Sequence, residues 1–472
     1  MKDRQQRERW ILVGFILASG LILFFNLGAR SLENHGYIRH AEVAREMIRS
    51  GEWGVPHLNG EIYVDKPPLF FWLIAIPASL YGAVTPWIAR LPVAVSAWIG
   101  VIILFLWGKR VYGTVQSGLI AGGILLSSYQ YFFQSRLAKT DMPLCLFILL
   151  SLYLFHLGYG ASGKKRSLFY VFSFFFIGLA TLTKGPFGFF IPLLLMAIFL
   201  VKERQWRIWV SRDFYLGYLV LGLTVLPWIY LFIHRVGLKE SIALMRDAEI
   251  LTRTAPVYFY FIRIWPEFAP WSILIPFLFY YLWKQKRKGR PLGESFFLIW
   301  FIVMFILLTL FKIRTSRYLL PVLPPLALMM GGFWKKKFSF FLAPFIIFVL
   351  VWHSVEFYWM RKNLPHSPGM VLAGELKPVI KDSTLFGYRL DTSTVEEINF
   401  YTDRVIPLLK GTEPFPEQIT RKAKGFVLMP EGNEGGIQPS GNDEIVFVRE
   451  FQYKKGRLVL FSHKIEEKSI ER

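Results

Sequence analysis

Carboxylates and fixed cations recur at the ends of apolar runs along this chain: Glu33, His35, Asp65, Lys66, Arg136, Lys139, Asp141, Arg253, Lys312, Arg314 and Arg317. That mixture suits a group transfer whose leaving group is a phosphate. A carboxylate takes the proton of an acceptor hydroxyl, and Lys or Arg neutralises the charge building on the departing phosphate. The pattern is densest in residues 51–72, GEWGVPHLNGEIYVDKPPLFFW, a turn-rich polar loop that ends in Asp65, Lys66, Pro67 and Pro68 where an apolar run begins. Paired prolines fix φ and remove two donors, so the chain arrives extended and starts a helix only afterwards. Acid–base pairs also flank membrane segments simply because they favour water. What surrounds the pair therefore decides its meaning.

The elements that must position these groups are membrane helices. The 472 residues are 54% hydrophobic and 17% aromatic, with a mean hydropathy of +0.39. Long apolar runs broken by basic clusters describe a polytopic all-α membrane protein. The net charge of +22 does not imply a nucleic-acid partner, because the Lys and Arg residues fall in short loops between spans. Anionic membrane lipids would meet the same charge. The single cysteine, Cys145, excludes an intrachain disulfide and a thiolate metal site. Residues 1–9 are basic and precede an uncharged run without a cleavage signature, which reads as an uncleaved first span.

Spans are expected near 10–27, 86–107, 117–134, 142–158, 168–183, 187–201, 213–233, 271–284, 294–311, 318–333 and 338–353. Residues 69–81 are short, carry Pro77, and read as a re-entrant or interfacial helix. With about eleven crossings and a cytoplasmic N-terminus, the basic loops all fall inside. Segments 29–66, 134–141, 235–270 and 311–317 then share the outer face. In the first, Ile38, Ala41, Ala44, Met47 and Ile48 form a helical stripe, with Arg39, Glu42, Arg45 and Glu46 opposite on a face expected to be solvated. Lys184-Gly185-Pro186 reads as an outer turn, and the aromatic run 258–261 as an interface belt. The domains are a membrane part, 1–355, and a small soluble extracytoplasmic α/β domain, 361–472. In the latter, strands are expected at 384–388, 426–429, 444–451 and 457–462, and helices at 395–401 and 416–423.

The motifs also carry a family resemblance. NLGARSLENHGYIRHAEVAREM, SGEWGVPHLNGEIYVDKPPLFFW and ARLPVAVSAW together resemble the first outer loop of the GT-C glycosyltransferases, in particular the aminoarabinose (lipid A) transferase and protein-mannosyltransferase-like group. SRLAKTDMPLCLF, LTKGPFGFFIPLL and TSRYLLPVLPPLALMMG are similar to later motifs of that group, in the same order. The resemblance implies a multi-pass protein of the cell (inner) membrane. It would move a sugar from a polyprenyl-phosphate donor to a lipid A, glycan or protein acceptor on the outer face. It also implies a divalent-metal role for Asp65 and a donor-phosphate role for Lys66. An ordering role falls to Asp141, and phosphate contacts to Arg253, Arg314, Arg317 and Tyr318.

Two departures stand out. The group carries an Asp-Glu pair in the first loop where this chain has Gly36 and Tyr37, so Glu33 becomes the candidate base and His35 the alternative. The third loop lacks the histidine that would pair with the acid, leaving His234 at its edge. Asp65 and His35 are thus the candidate metal ligands, and an Asp65–Lys66 ion pair is the alternative arrangement. The chemistry expected is an inverting displacement at the anomeric carbon. A noncatalytic assembly protein of the same fold, or a lipid-linked sugar flippase, are the competing classes. A transporter would place charges at mid-membrane, and these spans are nearly free of them.

Overall fold

Caps and glycine stops set the ends of several helices. The computed structural model describes residues 2–32, 37–241, 255–285, 292–334, 338–363, 367–409, 425–432, 444–454 and 456–464. These residues form two units: 1–28, 53–55 and 64–359, then 29–52, 56–63 and 360–472.

The first unit is helical. Its elements are α1 (Lys2–Phe24), α3 (Leu69–Tyr81), α4 (Pro86–Tyr112), α5 (Val115–Ser127), α6 (Tyr129–Gln134), α7 (Asp141–Tyr159), α8 (Gly163–Lys184), α9 (Pro186–Lys202), α10 (Arg212–Val236), α11 (Phe259–Glu267), α12 (Ile275–Gln285), α13 (Leu292–Leu310), α14 (Leu323–Phe333) and α15 (Phe338–Asn363). Among the described residues α4, α7, α8, α10 and α13 are long and apolar enough to cross a membrane. The 13-residue α3 is not.

Helix α4 shows the logic of the boundaries. The Thr85 hydroxyl accepts from the Ile88 N–H at 3.3 Å, and Pro86 occupies the first helical position, where its missing N–H costs nothing. The helix stops at Gly113, whose φ of 71° a larger residue would resist. The span expected at 117–134 is broken at Ser128, which is extended. The Ser127 and Ser128 hydroxyls bond back to the carbonyls of Gly123 and Ile124 at 2.6 Å, and the Tyr129 N–H leaves the helix for the Ala269 carbonyl at 2.9 Å. Likewise the span expected at 318–333 opens as a 3₁₀ turn, Ser316–Val322, before α14, as Pro321, Pro324 and Pro325 require. Helices α8 and α10 approach closely at two glycines. A Cβ on Gly178 would meet Thr224 Cγ2 at 2.7 Å, and one on Gly217 would meet the Phe174 ring.

Arginines close the end of α1 and the stretch after it. Arg136 donates to the carbonyls of Leu23 (3.2 Å) and Phe25 (2.6 Å), and Arg90 to that of Leu27 (3.1 Å). A cation on orphan carbonyls near a helix C-terminus is favourable on both hydrogen-bond and dipole grounds. Arg136 is thus engaged in the fold.

The second unit holds α2 (Ile38–Ser50), a hairpin of β1 (His57–Leu58) and β2 (Glu61–Ile62), α16 (Pro368–Ile380), α17 (Thr392–Thr402) and a five-stranded sheet. The sheet strands are β3 (Thr384–Tyr388), β4 (Leu408–Leu409), β5 (Gly425–Pro430), β6 (Glu444–Tyr453) and β7 (Gly456–Lys464), in the order β4-β3-β5-β7-β6. Strand β3 runs parallel to β4 and β5, and the other pairs are antiparallel. Leu372, Leu376, Leu385, Val395, Ile398 and Leu460 build its core. The expected strands are all present, and the helix expected at 395–401 is α17. The helix expected at 416–423 lies outside the described residues. Helix α16 and the two-residue β4 went unread.

Helix α2 corrects an expectation. Its charged face is buried, not solvated: Glu42 is 0% and Arg45 7% exposed. The reason is that α2 packs against α17, and the charges are paired there. Arg45 grips Glu42 through two bonds (2.5 and 2.8 Å) and reaches Asp403 at 2.8 Å, while Arg39 meets Glu396 at 2.8 Å. Glu46 accepts the N–H groups of Asn59 and Gly60, the two left-handed residues of the hairpin turn, at 2.6 and 3.0 Å.

Candidate active site

Four pieces of the first unit meet around one cavity of about 420 Å³. They are the start of α7, the α8–α9 turn, the end of α13, and the segment 311–321. Asp141 is the first residue of α7 and Lys184 the last of α8, so each charge sits at the helix end whose dipole favours it. Their side chains form a direct ion pair and are 6% and 10% exposed. Gly185 makes the turn possible, with φ 61° and ψ −134°, and Pro186 starts α9.

Arg317 adds a second cation, its Nε 3.8 Å from the Asp141 carboxylate and without a hydrogen bond among the described residues. The Tyr318 ring carries both cations over it, Lys184 Nζ at 4.6 Å and the Arg317 guanidinium at 5.7 Å from the centroid. Lys312 also lines the cavity. The remaining wall is apolar, with Phe187 and Ile191 from α9 and Met304 and Leu308 from α13. A cationic end joined to a hydrocarbon wall fits an amphiphile with an anionic head.

Asp65 and Lys66 lie beside this cavity and outside its wall. Lys66 Nζ is 2.8 Å from both the Asp65 carboxylate and the Asp65 carbonyl. The next residue, Pro67, places its Cγ 4.0 Å from the position a Cβ on Gly185 would take. The loop before it is tied down by two indoles: Trp72 donates to the Trp53 carbonyl (2.8 Å) and Trp228 to that of Gly54 (2.9 Å). The second-loop acid and the late basic motif thus come together, and Pro67 brings the acid-lysine stretch against the α8–α9 turn.

Of the remaining candidates, Arg314 is engaged with backbone carbonyls. It is 9% exposed and donates to the carbonyl of Ala255 and, at 2.8 Å, to that of Thr309. Glu33, His35 and Arg253 lie outside the described residues. His234 stacks on Tyr230 on α10, centroids 5.9 Å apart. Among the described residues no three His, Cys, Asp or Glu side chains are grouped to hold a metal ion, and the Asp65 carboxylate already faces an ammonium. Lys184 was missed as a site residue. Its signal was present, because a lysine in a turn expected outside runs against the positive-inside trend just as Lys312 and Arg317 do.

Residues 65–231 match the family model for dolichyl-phosphate-mannose-protein mannosyltransferase. An uncharacterised protein of Aquifex aeolicus is 30% identical over 329 residues, 67% of this chain and 62% of that one. An undecaprenyl phosphate-alpha-4-amino-4-deoxy-L-arabinose arabinosyl transferase of Pseudomonas fluorescens is 27% identical, covering 69% of this chain and 56% of its own length. The chain thus spans about three-fifths of the length of the curated relatives it matches. In fold, it resembles the crystal structures of ArnT from Cupriavidus metallidurans, apo and bound to undecaprenyl phosphate. The TM-score is 0.75 at 20% identity, over 95% of this chain and 97% of that one. With the family model, these relatives and this likeness in agreement, the chain has the fold of the GT-C glycosyltransferases.

Proposed function

We propose that this protein transfers a sugar from a polyprenyl-phosphate donor to an acceptor hydroxyl on the outer face of the cell membrane, with inversion. The observation that carries the reading is the cavity itself. A carboxylate and three cations stand at one end of an apolar wall, matched to a phosphate head on a prenyl tail. The relatives named for undecaprenyl-phosphate sugars support that donor class. The membrane arrangement proposed with it has about eleven crossings and a cytoplasmic N-terminus, from apolar runs and basic loops.

In the reaction, the acceptor oxygen attacks the anomeric carbon while Glu33 takes its proton. The bond to the phosphate oxygen breaks, and the lipid phosphate leaves with the electron pair. Arg317 and Lys66, with Arg253 from the third loop, neutralise the charge arriving on that phosphate. Asp141 holds Lys184 and Arg317 in register, and Tyr318 offers its ring face to both. A divalent metal would be held by Asp65 and His35 if the enzyme uses one. No step here is routed through it, because Lys66 already occupies the Asp65 carboxylate.

The test is to incubate the purified full-length protein with labelled polyprenyl-phosphate sugars and an acceptor preparation, and to follow lipid phosphate released. Turnover with one donor supports the reading and names the sugar. Tight donor binding without release, in every donor and acceptor combination, would favour the noncatalytic reading. Gly36 and Tyr37 in place of the Asp-Glu pair are what keep that reading in play.

A further inference from the structure

The basic motif at the cavity does not use its cations alike. Arg314 spends both terminal nitrogens on backbone carbonyls, those of Ala255 and Thr309, and Tyr260 donates to the carbonyl of Thr315 at 3.3 Å. The stretch from the end of α13 to the 3₁₀ turn is thereby fixed at both sides of Lys312. Lys184 is committed to Asp141 and Arg317 leans on the same carboxylate. Lys312 is the exception. It lines the cavity and is exposed, and no carboxylate among the described residues lies within ion-pair distance of it. Lys184, Lys312 and Arg317 set against Asp141 leave the wall with two positive charges in excess, and Lys312 is their least neutralised source.

We propose that Lys312 is a further direct ligand of the substrate's phosphate in this cavity, beside Arg317. Arg314 is its positioning residue, which presents Lys312 and Arg317 without touching the phosphate. The ligand chemistry is a phosphate monoester. It rests on the transferase reading above only in taking that phosphate to be carried by a prenyl lipid. Lysine suits the task because a flexible ammonium can follow a phosphate as its charge grows, whereas Arg314 is buried with both terminal nitrogens bonded to carbonyls.

The experiment measures binding of radiolabelled undecaprenyl phosphate to the full-length protein in nanodiscs, with undecaprenol and inorganic phosphate as competitors. K312Q should weaken binding by about tenfold, the worth of one charge-assisted hydrogen bond, and should flatten its salt dependence. K312R should restore most of both. R314Q should weaken binding at least as much, yet K312Q/R314Q should bind no worse than R314Q alone, because Arg314 acts through Lys312. Additive losses in the double variant would overturn the positioning role. Wild-type affinity in K312Q, with R317Q strongly impaired, would overturn Lys312 as ligand while leaving the transferase reading intact. Inorganic phosphate displacing the lipid at equal concentration would make this a free-phosphate site and overturn the lipid assignment. No binding of undecaprenyl phosphate by the wild type would end both.

Discussion

Two clusters of buried charge, one in each unit, contrast in how they are balanced. Around α2 and α17 the acids and bases cancel: Arg45 holds Glu42 and Asp403, Arg49 reaches Asp403 at 2.8 Å, and Arg39 holds Glu396. At the cavity, Asp141 receives two cations while a third, Lys312, faces open space. Each has a buried centre, Glu42 and Arg45 in one and Asp141 and Lys184 in the other, so burial alone does not mark a site. What differs is surplus charge with access. A saturated network fixes a fold, and removing any member leaves a stranded ion. An unsaturated one retains attraction for a ligand of opposite sign.

The largest effect should come from the shared carboxylate. D141A strands Lys184, which is 10% exposed, and should cost about 3–5 kcal/mol in thermal or denaturant unfolding along with all transfer activity. D141L/K184M should recover the stability, since an ion pair replaced by apolar groups is often tolerated, but not the activity. Transfer by the double variant would reduce the pair to a structural device.

The saturated network should respond in stability alone. R45A leaves Glu42 buried without its two bonds and Asp403 without one, so a loss of about 3 kcal/mol is expected, read as faster amide exchange across α2 and α17. Exchange unchanged from wild type would mean that the cluster is worth no more than a surface pair. Lys66 should show the inverse profile. Its partner Asp65 is 43% exposed, and exposed pairs contribute about 0–1 kcal/mol. K66A should therefore unfold like wild type while transfer falls roughly a hundredfold, the scale of one lost stabilising cation. Equal activity would remove Lys66 from the site.

These contrasts also mark what the sequence could say. Apolar runs and basic loops located most of the long membrane-unit helices, and alternation located strand β3 at its observed bounds, because period and composition are local properties. Asp65, Asp141 and Arg317 were legible because motif and chemistry coincide in them. Lys184 carried the same signal of a cation against the positive-inside trend, but a Lys-Gly-Pro turn explains itself, and its partner lies 43 positions away. Nor could spacing tell Arg314 from Lys312. Two residues apart on an irregular segment, one folds back onto carbonyls and the other faces the cavity. The charged stripe of α2 misled for a related reason: a stripe shows which residues share a face, not whether that face meets water or α17.

Glu42 offers the finest test of the balanced cluster. Burial pushes its carboxyl up to about 7, against the pull of the Arg45 guanidinium and with Glu46 pressing the same way as burial. A carboxyl raised above its unfolded value holds its proton in the folded state after the unfolded chain has released it. Its stabilising contribution is therefore complete below about pH 4.5, declines as the pH climbs to about 7, and is flat above. A tenfold difference in proton affinity between the folded and unfolded chain is worth about 1.4 kcal/mol, so the decline should amount to about 1–3 kcal/mol. E42Q cannot titrate and keeps a donor toward Glu46, so its exchange rates in α2, corrected for intrinsic pH dependence, should lack that slope. A wild-type slope of the opposite sign would show Arg45 outweighing burial, with Glu42 ionised throughout. The network would then be a true salt bridge at every pH, and its balance would hold by charge instead of by a shared proton.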